Sequence, residues 1–345
     1  MRALVLSDFG RLQVQERPLP EPGPHEVVVA VIATGICGSD IHGFTGENGR
    51  RHPGQVMGHE TVGRVSSIGA AVTGIRLGQP VTVNPVVLPD AARDEYAGRE
   101  QHCPDKYVIG VRADRDAAFA DYLVAPARNL VALADDTPIL LGALIEPLAV
   151  AVHAVRRAGV LPGERVLVIG GGPIGQSVAL ALMLSGVTAP VVAELDAARR
   201  ALLEQLGARA LDAATLDFPA AVAALLGGPA DVVIDAVGVD RTLANAFAAS
   251  RLGATICLVG MGATSLVVDA FRISTDERTL VGSFTYSDDD FREAARLVAR
   301  APERAGLLIS RTVGVDQAQE AFVEAARGEA PAGKTLVRFS AGAPA

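Results

Sequence analysis

The stretch that decides the fold is residues 164–175, which read ERVLVIGGGPIG. Its apolar first half is typical of a parallel strand that is buried on both faces of a sheet. Its glycines have the spacing G-x-G-x-x-G, which is informative when it lies between a strand and a helix. Ile174, Val178 and Leu182 recur at every fourth position and predict such a helix. The stretch therefore predicts a strand, a tight turn and a helix that binds a dinucleotide.

Each glycine of the turn has a separate expected role. Gly170 would permit the tight turn, Gly172 would let the backbone approach a pyrophosphate, and Gly175 would let the helix pack closely on the strand. The diphosphate would then rest on the positive end of the helix. The predicted cofactor-binding residues are Gly170, Gly172, Pro173, Ile174, Gly175, Glu194 and Arg199.

The choice of cofactor depends on Glu194, which lies 19 residues after Gly175 at the end of the next apolar run. A carboxylate there accepts hydrogen bonds from both ribose hydroxyls and repels a 2′-phosphate, so it favours NAD over NADP. Arg199, one turn into the next helix, either lies over the adenine or pairs with Glu194. Arg199 and Arg200 are also placed to reach a 2′-phosphate, so NADP stays open.

The alternation of strand and helix continues beyond this turn. Further strands are predicted at PVVAEL, DVVIDAVG, GATICLVG and TLVGSF, so residues 150–288 form an α/β unit with a doubly wound parallel sheet, the Rossmann architecture. Residues 1–149 are short strands separated by turn residues, which predicts an irregular β-barrel-like domain with functional loops. Residues 289–345 are too few for an independent domain and are expected to return to the first one.

Composition excludes several classes of function. The net charge of −8 argues against a protein that binds nucleic acid through its phosphates. The longest apolar stretch, about 166–193, is broken by GGGP and by further polar and turn residues, so it predicts a buried strand and helix instead of a membrane span. The first ten residues show no charged-then-apolar signal sequence. Three cysteines cannot form a disulfide framework, which favours a cytoplasmic location.

A second informative group is residues 37–42 (CGSDIH), followed by residues 58–60 (GHE). Cysteine and histidine are natural ligands of a borderline-soft cation such as zinc. The order C-x-S-x-x-H and then G-H-E, with residues 144–149 (LIEPLA) and the closing 333–334 (GK), resembles the zinc-containing medium-chain dehydrogenase/reductase family in its alcohol and polyol dehydrogenase branch. The resemblance spans the whole chain and implies a GroES-like catalytic domain joined to a Rossmann domain that binds NAD.

The resemblance implies how a metal would be held. Cys37 and His59 would be ligands of a catalytic zinc, and Glu60 would be a third or an exchanging ligand. Glu146 would bind the metal directly or through its water, and it stays open which of Glu60, Glu146 and water completes the shell. Asp40 would accept a hydrogen bond from the far ring nitrogen of His59 and fix its tautomer. Such a ligand set leaves the labile position that a catalytic zinc needs.

The same resemblance implies the chemistry. Zinc would act as a Lewis acid toward the substrate hydroxyl, and the hydride would pass to C4 of the nicotinamide. The proton would leave through the Ser39 hydroxyl toward His42 and solvent, because the ordinary pKa of histidine suits that transfer near neutral pH. The implied catalytic residues are Ser39, His42 and Glu60. Each residue also has a simpler interpretation, such as a buried cysteine, a turn serine or a surface pair.

The chain departs from the family in the segment that holds a second, structural zinc in many members. Of the four cysteine positions there, Cys103 is kept, and the other three are Pro89, Ala92 and Glu95. One thiolate and one carboxylate cannot form a closed tetrahedral site. We therefore expect one catalytic zinc per subunit and no structural zinc, with residues 88–118 held by packing or by subunit contacts.

The substrate is less well defined by the sequence. The residues expected at the substrate pocket are Phe44, Glu47, Asn48, Arg50 and Phe119. Polar groups of this kind suit a polyhydroxylated or anionic substrate better than a plain alkyl alcohol, and Arg50 and Arg51 would be available to a phosphate or carboxylate. The same segment is equally compatible with an exposed loop.

We therefore expect a zinc-dependent oxidoreductase that transfers a hydride between NAD and a polyol or other secondary alcohol. The alternatives are a zinc-free reductase of the same superfamily and a catalytically silent dinucleotide-binding protein. The expected partner is a small molecule, and neither nucleic acid nor a membrane is expected. By resemblance we also expect a homodimer or homotetramer, in which strand edges such as GATICLVG (253–260) would pair across an interface.

Overall fold

The computed structural model describes residues 1–47 and 49–339, which form two compact units. The first unit consists of Met1–Glu146 and the segment from Ser287 onward, and the second is Pro147–Tyr286. Each unit has its own apolar core of buried side chains. The first unit is therefore built from two parts of the chain that are far apart in sequence.

The first 146 residues are mostly short strands separated by turns. The strands are β1 (Arg2–Asp8), β2 (Arg11–Glu16), β3 (Glu26–Gly35), β4 (Glu60–Ile68), β5 (Pro80–Val83), β6 (Val86–Val87), β7 (Tyr107–Val108), β8 (Tyr122–Pro126) and β9 (Leu130–Ala132). Helix α1 (Gly38–Thr45) follows β3 directly. Strand β3 is buried along almost its whole length because β-branched side chains fill both of its faces. It is the central strand against which the site residues are placed.

Helix α2 (Ile145–Ala158) leads into the second unit. The strands of this unit are β10 (Val166–Ile169), β11 (Val191–Glu194), β12 (Arg209–Asp212), β13 (Ala230–Asp235), β14 (Ser250–Leu258) and β15 (Thr279–Gly282). Its further helices are α3 (Pro173–Leu184), α4 (Ala197–Leu206), α5 (Phe218–Leu226), α6 (Asp240–Ala249) and α7 (Ala270–Thr275). These elements alternate along the chain, as a parallel sheet with crossover helices requires.

The six strands are all parallel and lie in the order β12-β11-β10-β13-β14-β15. The predicted doubly wound sheet is therefore confirmed, and the strand order reverses between β10 and β13. One expectation is wrong: the GATICLVG strand is β14, which lies between β13 and β15 and has no free edge. The edge strands of this sheet are β12 and β15.

The last part of the chain adds to the first unit. Its elements are α8 (Asp288–Arg300), α9 (Pro302–Gly306), β16 (Ile309–Gly314), α10 (Ala318–Ala326) and β17 (Lys334–Arg338). Ser287 caps α8, and three aspartates occupy the first turn of the helix, where the helix dipole favours negative charge. Strand β17 pairs with β3 and completes a sheet in the order β16-β17-β3-β4-β5-β9, with β8 paired to β3.

The most apolar segments of the chain are largely buried. The stretch expected to be a buried strand and helix contains β10, α3 and β11. A second segment, Ile139–Ala158, is long and apolar enough to cross a membrane by length and composition, but 78% of its most apolar window is buried inside the protein. Burial of this kind is typical of a helix in a protein core.

Candidate functional site

The ends of two neighbouring strands bring the predicted metal ligands together. Cys37 is the N-cap residue of α1, directly after β3, and His59 and Glu60 lie at the start of β4. The two strands are antiparallel, and Gly35 of β3 pairs with Glu60 of β4. One ligand atom from each of Cys37, His59 and Glu60 lies within 4.8 Å of the other two. The two sequence motifs thus form one cluster, because the strand register places them there.

Glu60 is completely buried, and its two carboxylate oxygens have different surroundings. Oε1 accepts a hydrogen bond from Nζ of Lys334 at 2.7 Å, and Lys334 also donates to the carbonyl oxygen of Ile36 at 3.3 Å. Oε2 is buried and has no hydrogen-bond partner among the described residues. A side chain at Gly35 would clash with this oxygen, so the glycine provides the space that it occupies. Glu60 therefore keeps one oxygen available for a cation.

Asp40 connects His59 to a buried arginine. One Asp40 oxygen, Oδ2, accepts the backbone N–H of Cys37 at 3.1 Å. The other, Oδ1, lies 3.6 Å from Nδ1 of His59 and 3.8 Å from Nη2 of Arg51. Asp40 is completely buried and Arg51 is 1% exposed. Asp40 therefore lies beside Nδ1 of His59, at a distance longer than a hydrogen bond, and its orienting role stays a prediction.

The charges of this cluster favour a bound cation. Burial by itself lowers the pKa of both His59 and Lys334. For His59, the Asp40 and Cys37 groups outweigh burial and hold the pKa well above its usual value. For Lys334, the Glu60 carboxylate, with Cys37 and Glu146, raises the pKa above its usual value. Both shifts have the same physical cause, a negative potential at the cluster.

The donor set fits zinc. A thiolate, an imidazole and a carboxylate are ligands that zinc takes, and ligands of one zinc lie about 3–4 Å from one another. The 4.8 Å limit on the distances among the three ligand atoms is compatible with this spacing after a small adjustment. Glu146 is buried near the start of α2, but it does not belong to the group of three. Its charge is the smallest of the causes that raise the pKa of Lys334.

Ser39 and His42 both lie on α1, three residues apart and therefore on one face of the helix. Ser39 is half-buried, whereas the His42 side chain is 55% exposed. Nδ1 of His42 lies 2.9 Å from a carboxylate oxygen of Glu47. The predicted transfer of a proton through Ser39 to the exposed His42 stays a prediction. The partnership of His42 with Glu47 was not predicted.

The expected substrate residues differ in their exposure to solvent. Phe44 and Phe119 are buried in the apolar core of the first unit, each with its ring centroid 5.5 Å from that of Phe322. This placement favours a packing role over the expected contact with substrate. Glu47 and Arg50 are exposed, and Asn48 lies outside the described residues.

The glycine-rich turn of the second unit has the geometry that the sequence predicts. Gly170 has a positive φ of 96°, which a residue with a side chain rarely adopts. A side chain at Gly175 would clash with the carbonyl of Gly170, whereas one at Gly172 would meet little besides Arg199. Gly172 caps α3, and Pro173 begins the helix. The backbone beside Gly172 is therefore open to a phosphate at the positive end of α3.

Glu194 lies next to this turn. One oxygen accepts the backbone N–H of Gly171 at 2.7 Å, and the other accepts that of Asp196 at 2.8 Å. Arg199 approaches the Glu194 carboxylate to 4.0 Å, which is the pairing considered from the sequence. Arg200 donates to the carbonyl oxygens of Glu194 and Leu195 at 2.9 and 2.6 Å. The carboxylate is thus held rigidly at the end of β11.

Two residues near the ligand cluster have roles that the sequence analysis missed. The sequence provided Lys334 as part of the closing Gly-Lys pair, but nothing in it indicates an ion pair with Glu60, 274 positions away. From the sequence, Arg51 is a candidate group for a substrate phosphate or carboxylate, whereas the structure buries it beside Asp40. Both contacts depend on the tertiary fold and have no local sequence pattern.

Comparisons with known proteins agree with this geometry. Residues 23–135 match the family of the alcohol dehydrogenase GroES-like domain, and residues 173–300 match the zinc-binding dehydrogenase family. The chain is 33% identical to sorbitol dehydrogenase of Gallus gallus, over 95% of this chain and 94% of that protein. It is 32% identical to D-xylulose reductase A of Aspergillus niger, over 97% of this chain and 96% of that protein.

Solved structures give the same result. The 2R,3R-butanediol dehydrogenase of Bacillus subtilis matches with a TM-score of 0.89 and 28% identity, over 98% of this chain and 99% of that one. An Escherichia coli alcohol dehydrogenase with bound NADH has a TM-score of 0.90 and 26% identity, with the same two coverages. A zinc-binding dehydrogenase of Sinorhizobium meliloti with bound NADP has a TM-score of 0.87 and 31% identity, again with these coverages.

Proposed function

Since the chain belongs to the zinc-binding dehydrogenase family with an alcohol dehydrogenase GroES-like domain, we propose that it transfers a hydride between NAD and a polyol or other secondary alcohol. The observation that carries the proposal is the cluster of Cys37, His59 and Glu60, in a chain that also has an open glycine-rich turn. Relatives that act on polyols, sorbitol dehydrogenase among them, support the substrate class. A zinc-free reductase would have no use for this cluster.

Cys37 and His59 would hold the zinc, and Glu60 or Glu146 would complete its shell, with a labile position left for substrate. When bound, the metal supplies Lewis-acid polarisation of the substrate oxygen. We propose one zinc per subunit, because Pro89 and Ala92 stand where a structural site would need cysteines. Oε2 of Glu60, which has no hydrogen-bond partner among the described residues, would be the ligand atom that exchanges with water or substrate at the metal.

The residues of α1 would carry the proton. The Ser39 hydroxyl would accept the proton of the substrate hydroxyl while giving its own to His42, whose exposed ring returns it to solvent. If Nδ1 of His42 donates to Glu47, then Nε2 is left as the accepting nitrogen. Asp40 would hold the ring of His59 in one orientation.

We propose NAD as the preferred cofactor. The Glu194 carboxylate is fixed by two backbone N–H groups beside the turn and would meet the ribose hydroxyls. Arg200 is already engaged with backbone carbonyls and with Asp212 at 3.4 Å, so it is poorly placed to reach a 2′-phosphate. These contacts support the proposal that the Glu194 carboxylate repels the 2′-phosphate of NADP and that Arg200 does not compensate for this repulsion.

Replacing Glu194→Gln should raise the KM for NAD about tenfold, because two charge-assisted hydrogen bonds to the ribose become neutral ones. The KM for NADP should fall, since the repulsion of its 2′-phosphate is removed. Initial-rate kinetics with both cofactors measure the effect. Glu204→Gln, at an exposed position of α4, should change neither value. A KM for NAD that stays the same in the Glu194 variant would remove this residue from the cofactor site.

The first experiment should identify the substrate class and the metal together. NADH formation from NAD would be followed with sorbitol, xylitol, 2,3-butanediol, threonine and phosphorylated sugar alcohols, each with and without a zinc chelator. The zinc content of the purified protein would be measured in parallel. We expect chelator-sensitive turnover of one polyol or secondary-alcohol group and about one zinc per subunit.

The possible outcomes have different meanings. Zinc at one per subunit without turnover would leave the metal site in place and exclude the substrates tested. Turnover that a chelator does not affect, in protein without zinc, would favour the zinc-free reductase. Neither zinc nor turnover would contradict the proposed function.

We also propose that the chain forms a homodimer or homotetramer in the cytoplasm. The segment 261–284 of the second unit exposes several large apolar side chains and includes β15, an edge strand of the sheet among the described residues. An exposed edge and apolar side chains of this kind favour contact with another protein surface. A second copy of the chain is the occupant proposed here.

A further inference from the structure

Arg51 is among the largest completely buried side chains of the protein, and a buried guanidinium needs a reason. It lies in the connection between α1 and β4, eight positions before His59. Its Nη2 is 3.8 Å from Oδ1 of Asp40, and its Nε and Nη2 have no hydrogen-bond partner among the described residues. The carboxylate of Asp40 is the ion-pair partner that the structure gives this guanidinium.

The helix is built to accept this arginine. A side chain at Gly43 of α1 would clash with Cγ of Arg51 and would also meet its Cβ at 3.0 Å. Glycine at this position therefore lets Arg51 pass against the helix and reach Asp40, one turn earlier on α1. The Met57 sulfur lies close on the same side, 3.4 Å from that Gly43 position. The first carbons of the Arg51 side chain are thus packed against α1, and the side chain as a whole is 1% exposed.

Three buried polar atoms of Asp40, His59 and Arg51 lie close together. Oδ1 of Asp40, Nδ1 of His59 and Nη2 of Arg51 each lack a hydrogen-bond partner in the part of the chain that the structure describes. The carboxylate oxygen lies between the two nitrogens, at 3.6 and 3.8 Å. A buried carboxylate with only an imidazole beside it would be costly, and an arginine offsets its charge.

We propose that Arg51 is a positioning residue of the metal site: its guanidinium neutralises the buried Asp40 carboxylate, and Asp40 in turn orients the ring of His59. This inference rests on the proposed zinc site and adds to it a residue that contacts neither metal nor substrate. Without Arg51, the Asp40 carboxylate would have to rotate toward other hydrogen-bond donors or take up a proton. The His59 ring would then lose its fixed orientation. Arg51 is then a part of the metal site and is not available to a substrate phosphate.

Zinc affinity of the full-length protein, measured by competition with a chromophoric chelator, tests the proposal. Loss of a group that orients a zinc ligand typically costs 10–100-fold in affinity, and we expect Arg51→Met to weaken zinc binding about tenfold. Arg51→Lys, which keeps the charge, should recover part of the loss. The absorption spectrum of the cobalt-substituted protein should also change in Arg51→Met, because it reports the ligand geometry.

A double-mutant cycle separates this role from a structural one. Asp40→Asn alone should weaken zinc binding, and adding Arg51→Met to it should weaken binding by less than a further twofold, since both act through one carboxylate. Arg278→Met is the matched comparison, because Arg278 is a buried arginine paired with Asp276 at 3.1 Å in the other unit. It should lower stability and leave zinc affinity within twofold of the unmodified protein.

Each result decides the matter. Zinc affinity of Arg51→Met within twofold of the unmodified protein, or losses that simply multiply in the double variant, would overturn the role of Arg51. If Arg51→Met does not fold, the same cycle is measured with Arg51→Lys. The proposal is supported if Arg51→Lys weakens zinc binding less in the Asp40→Asn variant than in the unmodified protein. Absence of zinc binding by the unmodified protein would instead contradict the proposed function itself.

Discussion

At the scale of single residues, the site is defined by buried charges that have buried partners. Lys334 is 4% exposed and Glu60 is completely buried, and they form an ion pair at 2.7 Å. Removing one member of such a pair leaves an uncompensated charge in a low-dielectric surrounding, which costs more than the pair itself contributes. Lys334 therefore fixes Glu60 in place as well as balancing its charge.

Replacing Lys334→Met should lower the free energy of unfolding of the metal-free protein by about 3 kcal/mol at pH 7, because Glu60 is then buried without its partner. The double variant Lys334→Met/Glu60→Gln should recover part of that loss, since the orphaned charge is removed. Urea denaturation followed by circular dichroism measures both values. Lys106→Met should cost less than about 1 kcal/mol, because within the described part of the chain this lysine donates to a carbonyl oxygen, that of Cys103, and to no carboxylate. Equal stability of Lys334→Met and the unmodified protein would contradict the importance of the ion pair.

At the scale of elements, the turn between β10 and α3 uses its glycines for different purposes. Gly175 has the carbonyl of Gly170 against its α-carbon, so its role is packing of the helix on the turn. A side chain at Gly172 would meet almost no protein atom, so this glycine leaves space for a ligand that approaches the backbone of the turn. The two glycines can therefore be separated by experiment, although they belong to one motif.

We expect Gly172→Ala to fold with nearly unchanged stability and to weaken NAD binding at least tenfold, because a methyl group would occupy the approach of the pyrophosphate. Gly175→Ala should destabilise the second unit by several kcal/mol, since the added methyl group collides with backbone. Thermal unfolding and isothermal titration with NAD give the two quantities for each variant. If Gly172→Ala binds NAD normally, the turn does not hold the pyrophosphate.

Another element-scale contact ties three strand starts together. Asp231 accepts hydrogen bonds from Arg165, before β10, and from Arg251 of β14, both from side-chain nitrogens at 3.0 Å or less. The side-chain hydrogen bonds from Arg165 are the largest cause of a pKa of Asp231 well below its usual range. Since the pKa is lower in the folded state, the stabilisation is present above the unfolded pKa of about 4 and is lost as pH falls through the folded value.

Asp231→Asn should accordingly lower the free energy of unfolding by about 1.5 kcal/mol at pH 7, and the difference from the unmodified protein should shrink below about pH 4. Urea unfolding at a series of pH values between 3 and 8 measures this. Asp135→Asn, at an exposed loop position, provides the comparison and should have little effect at any pH. A difference that stays constant with pH would show that the charge of Asp231 is not the cause.

At the scale of the whole molecule, the exposed apolar side chains of the second unit have no partner within the described chain. Met261 is 64% exposed, Val267 78%, Phe271 77% and Phe284 47%, and all lie in one segment near the edge strand β15 in sequence. Single exposed apolar residues are ordinary, but several in one segment beside an open strand edge favour an interface.

Light scattering after size-exclusion chromatography should therefore give the mass of a dimer or tetramer of the 35.6 kDa chain. Phe271→Asp should shift the mass toward the monomer, because a charge would be buried at the contact. Leu161→Asp changes an equally exposed leucine outside the segment, 62% exposed, and should leave the mass unchanged. A monomeric unmodified protein at tens of micromolar would contradict the proposed oligomer.

Much of the fold and part of the site could be predicted from local sequence. The ERVLVIGGGPIG stretch determined a buried strand, a positive-φ turn and a helix, because burial and glycine geometry act within a dozen residues. Strand β12 was missed, since its four residues, RALD, have neither apolar alternation nor a continuous apolar run. The sequence predicts GATICLVG at a sheet edge and the structure places it inside the sheet, because position within a sheet is a property of pairing and not of composition.

The amino-acid sequence by itself determined which chemical groups this protein has: a cysteine, a histidine and carboxylates in two short motifs, and a glycine turn followed by Glu194. Only the tertiary structure decided which of them meet. The register of β3 and β4 brings Glu60 to Cys37, and the pairing of β17 with β3 brings Lys334 to Glu60. Such contacts depend on the burial of charges by strands far apart in the chain, which no local pattern records.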